Sequence, residues 1–328
     1  MWFTAGVPAK HSTSITSSMM FGKKCYAGTN ELLNAAFAAN RTLVAVHRGV
    51  WGGNILGNTI SAFRAACESG ADMFELDVSK STDGVLYAFH DGGEKRMLGI
   101  SENIETLSSG QINELTYYNT IGEPSGVHLD TLESVIACFK NGELYNVDRA
   151  WDKLPETLNV IGKFPWAVKQ ALVKSPVREK ILEYLNEYPQ KFMYMPIVYS
   201  MKDIEKVLQY PEINTVGMEL IAGIQAPAAS GEPPAENNLF HDETIKFLHG
   251  KNLFVWVNAI TLSCLPQHVL FGGLDDNTAM TKDKDISWGK LFEKEIDVIQ
   301  TDWPFQLIKY RNDYFNKRPR NNPGGQPV

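Results

Sequence analysis

The chain has 328 residues, 44% hydrophobic and 21% charged, with a net charge of −7. This is an ordinary globular composition, and it argues against a nucleic-acid partner, which calls for a basic surplus or stripe. Cys25, Cys67, Cys138 and Cys264 lie far apart with no C-x-x-C, which disfavours a zinc cluster or compact disulfide framework and suits a reducing compartment.

No run reaches the roughly 18 apolar residues of a membrane span, so no integral membrane segment is expected. Residues 1–25 mix Lys10 and His11 with many Ser and Thr and lack a signal's apolar core, so a cytoplasmic location is the expectation. A single α/β barrel runs to about 250 residues, and no linker divides the chain. One domain over 41–310 is expected, with an N-terminal extension and short helix at 1–40 and a frayed tail at 311–328.

In chain order, Asn30 caps a short helix that starts at Glu31. Leu43–Val46 is continuously apolar, as a parallel strand covered on both faces is. After a loop with Gly52, Gly53 and Gly57, Thr59 caps a helix over 60–67 with Gly70 beyond its end. Residues 73–78 form the second strand. Thr82-Asp83-Gly84 is a tight turn, and residues 85–89 return as a strand. So short a turn cannot make a parallel crossover, so this strand is an antiparallel excursion. An insertion follows at 92–130, with a short helix near 108–115, and then a helix at 132–140.

Further strands are expected at 144–148, 158–163, 192–199, 214–220, 253–258 and 296–301. Helical patterns alternate with them at 176–188, 202–208, 242–249 and 287–294. Without the excursion this makes eight β–α units, which predicts a single (β/α)8 TIM barrel of the α/β class with an insertion after strand 2. Long loops at 222–237 and 272–285 fall on the face where such barrels keep their chemistry.

Glu75 and Asp77 share parity, while Phe74, Leu76 and Val78 take the other side of the strand. The apolar set needs the helix-facing side, so the acids point into the barrel. Two like charges in a low-dielectric interior are costly unless a cation joins them. All-oxygen ligation selects one divalent cation, Mg2+ or Ca2+. Asp148 ends strand three and is either a third ligand or the N-cap of the following turn.

His47 and His90 each sit where a strand meets a loop, each followed by a charged residue, Arg48 and Asp91. Such a pair suits general acid–base work near neutral pH. Arg48 offers a planar fork of donors to a phosphate, or an ion pair to the acids. Lys163 reads as a second cation at the same mouth. Glu219 either extends the site or pairs with a cation. Trp256 and Asn258 share a face of strand seven, where Trp256 either packs on substrate or joins the core and Asn258 offers a hydrogen bond. Asp275 and Asp276 read as solvated loop acids.

Taken together the motifs resemble the glycerophosphodiester phosphodiesterases, within the larger group of phosphatidylinositol-phospholipase-like barrels. The matching pieces are His47-Arg48-Gly49, Asn58-Thr59, Glu75-Leu76-Asp77-Val78, Phe89-His90-Asp91, Val255-Trp256-Val257-Asn258 and Asp297 to Pro304, in the family's order over roughly residues 43–305. The resemblance implies hydrolysis of a small glycerophosphodiester to glycerol 3-phosphate and an alcohol. It makes His47 and His90 the acid–base pair, Glu75 and Asp77 metal ligands, and Arg48 a phosphate ligand. It further implies that the glycerol 2-hydroxyl attacks first and that water then opens a cyclic phosphate.

The chain departs from the family pattern at Gly57, where a Glu is usual, at Asp148, also usually Glu, and at Ala150, usually Lys. Two rivals share the barrel: a metal-independent phosphatidylinositol-type lyase, against which the Glu75/Asp77 pair argues, and a non-catalytic phospho-ligand binder, against which the histidine pair argues.

Overall fold

The computed structural model describes residues 20–222, 238–260 and 270–318. Residues 1–19, nearly all of the 222–237 loop, Cys264 and the tail beyond 318 lie outside the described residues. Among the described residues nine strands are formed: β1 (Leu43–Val46), β2 (Met73–Lys80), β3 (Leu86–Ala88), β4 (Leu144–Asp148), β5 (Ala171–Pro176), β6 (Met193–Val198), β7 (Gly217–Leu220), β8 (Phe254–Asn258) and β9 (Val298–Thr301). All but β3 pair in parallel with their sequence neighbours, and β9 returns to β1, with Leu43 opposite Val298 and Val46 opposite Thr301. The result is a closed eight-stranded parallel barrel with helices outside. β3 pairs antiparallel with the end of β2, Val78 opposite Ala88, as the short turn requires.

Strand alternation sorts the side chains into two layers. Phe74, Leu76 and Val78 join the core between barrel and helices, while Met73 joins the barrel interior. The interior is apolar at its floor, with Leu43, Ala45, Leu144, Leu172, Met193, Phe254 and Trp256. Phe21, Leu33 and Phe37 close that floor, and the Phe21 and Phe254 rings lie 5.9 Å apart. The described part of the N-terminal extension therefore plugs the barrel. Residues 92–130 pack around a small core of their own, with Leu98, Ile104, Ile112 and Tyr117 against Tyr87 and Phe89 of the β3 segment. Among the described residues no helix is long and apolar enough to cross a membrane.

Three expectations are corrected. Residues 158–162 are helical, within Leu154–Gly162, with Lys163 at the helix's C-cap, and the fourth barrel strand is β5. Leu154, Leu158 and Ile161 are buried at helical spacing. The gap from Asp148 to residue 158 is also too short for a parallel crossover. The expected frayed tail begins inside a helix, Pro304–Lys317, so the barrel unit continues past 310. Arg311 on that helix is buried, with Nη1 2.5 Å from Asp72 Oδ2 and 3.0 Å from the Thr42 carbonyl oxygen. The 272–285 loop contains a helix, Asp276–Thr281, started by Asp275, whose Oδ1 accepts the Thr278 N–H at 2.7 Å.

Gly217 makes room on the floor: a Cβ there would lie 2.2 Å from Phe254 Cδ2. Gly217→Ala is expected to lower stability by about 1–3 kcal/mol through overpacking. Urea denaturation reads this directly, and an unchanged midpoint would contradict the floor packing.

Candidate active site

The candidate site residues gather where the interior turns polar, above Trp256. β1 ends in a turn that only unusual backbone can make: Arg48 has φ +57° and Gly49 φ +74°. A Cβ on Gly49 would lie 2.6 Å from the Ala62 carbonyl carbon, so the turn needs glycine. The turn aims the Arg48 N–H at Glu75 Oε2, 2.8 Å away. The Arg48 guanidinium Nε lies 3.0 Å from Asp77 Oδ2 as an ion pair, although this buried nitrogen makes no aligned hydrogen bond. Asn58 donates from Nδ2 to Asp77 Oδ2 at 2.8 Å and accepts the Asp77 N–H at 3.0 Å.

The β2–β4 register sets Glu75 opposite Asn146 and Asp77 opposite Asp148. One oxygen from each of Glu75, Asp77 and Asp148 falls within 4.8 Å of the others. Lys174 of β5 is buried beside them, with Nζ 2.6 Å from Asp148 Oδ2 and 3.0 Å from Glu219 Oε2. Glu219 Oε1 accepts from Asn258 Nδ2 at 2.8 Å, and Asn258 Oδ1 accepts from Trp256 Nε1 at 2.8 Å.

Burial, with the Asp77 and Asp148 charges, pushes the Glu75 carboxyl far up against the pull of Lys174 and Arg48. Burial also works against charge on Asp77, yet Arg48, both histidines and Asn58 hold it below the usual carboxylate range. Burial raises Glu219 despite Lys174. Lys174 is held charged: desolvation opposes this, but Asp148, Glu219 and Glu75 outweigh it.

The two histidines are held by different partners. His47 Nδ1 lies 2.9 Å from Asp302 Oδ1. His90 Nδ1 lies 2.6 Å from the Asp91 carbonyl oxygen, which only accepts, so Nδ1 carries the proton and Nε2 is left for chemistry. The Asp91 carboxylate accepts from Arg149 Nε and Nη2 at 2.9 and 2.7 Å. The Arg149 N–H in turn donates to Asp148 Oδ1 at 2.7 Å, which ties the His90 loop to the carboxylates.

Of the residues singled out in the sequence, the mouth gathers His47, Arg48, Glu75, Asp77, His90, Asp148, Glu219 and Asn258. Lys163 is elsewhere: it ends the Leu154–Gly162 helix, is 57% exposed, and lies 3.5 Å from Glu133. Its misplacement follows from reading that helix as strand four. Trp256 is completely enclosed and orients Asn258 from below, so it is a core residue with no face open to a substrate. Asp148 does not cap the next turn, whose cap position is Ala150 with no side-chain bond. Asp275 and Asp276 are buried rather than solvated.

Sequence reading passed over Lys174, Asp302, Asn58 and Arg149 as site residues. The signal for Lys174 was an apolar run, Ala171-Leu172-Val173, ending in a cation. Lys174→Met leaves two acids without their shared counter-charge and is expected to cost about 3–5 kcal/mol. Chemical denaturation tests this, and an unchanged midpoint would contradict the role given to Lys174.

A model of the glycerophosphoryl diester phosphodiesterase family matches residues 47–256. A glycerophosphodiester phosphodiesterase from Caldanaerobacter subterraneus subsp. tengcongensis is 30% identical over 184 residues, 53% of this chain and 66% of that relative. The chain therefore spans just under two thirds of that relative's length, and the matches to plant and human relatives span 26% and 19% of theirs. A glycerophosphoryl diester phosphodiesterase structure from Parabacteroides distasonis superposes with a TM-score of 0.67 at 14% identity, covering 90% of this chain and 95% of that one. A phosphodiesterase from Oleispira antarctica, solved with the product sn-glycerol-3-phosphate, superposes with a TM-score of 0.59 at 15% identity, covering 85% and 99%. The chain belongs to the glycerophosphoryl diester phosphodiesterase family.

Proposed function

We propose that this protein hydrolyses small glycerophosphodiesters to glycerol 3-phosphate and an alcohol, with one divalent cation and the His47/His90 pair. One observation carries the reading: two imidazoles and Arg48 surround three clustered carboxylates at one barrel mouth. Family membership and the product bound to the Oleispira neighbour support it.

The donor set fits a hard cation. It is all oxygen, two of its three members are buried, and Asn146 Oδ1 beside Glu75 is buried without a hydrogen-bond partner. Glu75, Asp77 and Asp148 would hold Mg2+ or Ca2+. A cation there supplies positive charge to the phosphoryl oxygens and acidifies an attacking hydroxyl.

The chain's own groups do the rest. Arg48 orients the phosphate, and Asn258, set by Trp256 and Glu219, offers a hydrogen bond at the far wall. One imidazole takes the proton of the glycerol 2-hydroxyl as its oxygen bonds to phosphorus. The other, protonated, gives its proton to the departing alcohol oxygen. The roles reverse as water adds to the cyclic phosphate and the bond from phosphorus to the 2-oxygen breaks. Asp302 stabilises the positive charge whenever His47 carries the extra proton.

The assay is glycerophosphocholine turnover, read as glycerol 3-phosphate. EDTA is expected to abolish it, Mg2+ or Ca2+ to restore it, and His47→Ala or His90→Ala to lower kcat by about 100-fold or more. Turnover that survives chelation would favour the lyase-type reading, and no turnover across a panel of glycerophosphodiesters would favour a binding barrel.

A second substrate of the same class is favoured by the rim. Trp51, Ile55, Ile121, Trp303 and Phe305 are all exposed. Residues 50–58 and 116–122 carry no charge. The two stretches are joined by Thr120 N–H to the Gly53 carbonyl at 3.3 Å and by Asn119 Nδ2 to Asn54 Oδ1 at 2.9 Å. An apolar, uncharged rim beside an anion site suits a glycerophosphodiester that bears one acyl chain. Below the micellar limit, kcat/KM on such substrates is expected to rise about threefold or more per two methylenes. Independence from chain length would remove this reading and leave the first intact.

A further inference from the structure

We propose that Asp276 is a positioning residue for His47, acting through the backbone of Asp302. The inference rests on the acid–base role given to His47 above.

Asp276 is the first residue of the Asp276–Thr281 helix and is 2% exposed. Its carboxylate collects donors from two places. Oδ1 accepts from Trp288 Nε1 at 2.9 Å, and Oδ2 accepts the Asp302 N–H at 2.8 Å. The Thr301 hydroxyl, with one proton to give, lies 2.9 and 2.8 Å from the two oxygens. The same hydroxyl oxygen accepts the Trp303 N–H at 2.9 Å. Asp276 thus grips the chain at Asp302 and just before it, and the Thr301 hydroxyl passes the hold on to Trp303. Its own N–H donates to the Ala259 carbonyl at 2.7 Å, which fastens it to the end of β8.

What this grip holds is the dyad. Asp302 Oδ1 meets His47 Nδ1 at 2.9 Å, and the His47 N–H donates to the Thr301 carbonyl at 3.2 Å. The Asp302 side chain is 27% exposed, and its backbone N–H is fixed by the Asp276 carboxylate. Its direction comes from the peptide that Asp276 holds. Burial pushes the Asp276 carboxyl up to about 7, so an acid here is expensive for the fold. An asparagine would present only one acceptor oxygen to three donors. The carboxylate is what the geometry of Asp302 requires, and a residue that merely filled the space would not supply it.

The test compares Asp276→Asn, Asp302→Asn and the double variant, each first shown to be folded by circular dichroism. Glycerophosphocholine turnover is measured as kcat and KM. Asp276→Asn is expected to lower kcat by about 10–100-fold, with KM changed less than about twofold. The double variant is expected to fall within about threefold of Asp302→Asn alone, because both act on one dyad. Losses that multiply, or an unchanged kcat, would overturn the proposal.

A second readout does not depend on turnover. The His47 ring Nδ1–H resonance, assigned by its absence in His47→Gln, is expected to shift or broaden in Asp276→Asn and in Thr301→Val. An unmoved resonance in both would overturn the proposal even in a protein that turns over no glycerophosphodiester. If Asp276→Asn does not fold, Thr301→Val carries the same comparison, since it removes one of the carboxylate's three donors.

Discussion

Three carboxylates held against one another are the constraint on which this structure turns. Glu75 and Asp77 are two residues apart on β2, and the β2–β4 register brings Asp148 alongside. Like charges this close, inside a barrel, are unfavourable without compensation. Each neighbouring feature answers that cost. Lys174 rises from β5 between Asp148 and Glu219, Arg48 leans on Asp77 from a left-handed turn, and Asn58 gives Asp77 its hydrogen bond. The compensation is partial, since Glu75 is still driven toward its neutral form.

The rest of the barrel serves this mouth. Its floor is filled with apolar side chains and plugged by Phe21, Leu33 and Phe37, and the clustered acids lie toward the strands' C-terminal ends. There the two histidines arrive by separate routes. His47 comes directly off β1 and is braced by Asp302 after β9, its neighbour in the sheet. His90 comes off the β3 excursion and is braced by its own loop, which Arg149 clamps to the end of β4. The antiparallel excursion therefore positions the second imidazole: it carries His90 back toward the carboxylates.

Much of this was legible in the sequence, for physical reasons. Parity alone turned Glu75 and Asp77 inward, because Phe74, Leu76 and Val78 had to face the helices. A three-residue turn forced β3 to run backwards. The error at 158–163 arose because a short apolar run looks alike in helix and strand, and periodicity cannot separate the two. It displaced one strand and with it the site's buried cation, so Lys163 stood where Lys174 belongs. Asp302 and Asp276 lay beyond reach for another reason. Asp302 lay inside a matching motif, Asp297 to Pro304, but the partners of both acids depend on which loops meet at the mouth, a tertiary fact. Trp256 shows the converse, since facing the barrel interior did not decide whether it met substrate or core.

The central claim is that the carboxylate cluster is a cation site, and calorimetric titration with Mg2+ and with Ca2+ tests it most directly. The account expects one bound ion per chain, a higher melting temperature on binding, and loss of both in Asp77→Asn. No heat with either ion, or equal binding by the variant, would contradict it.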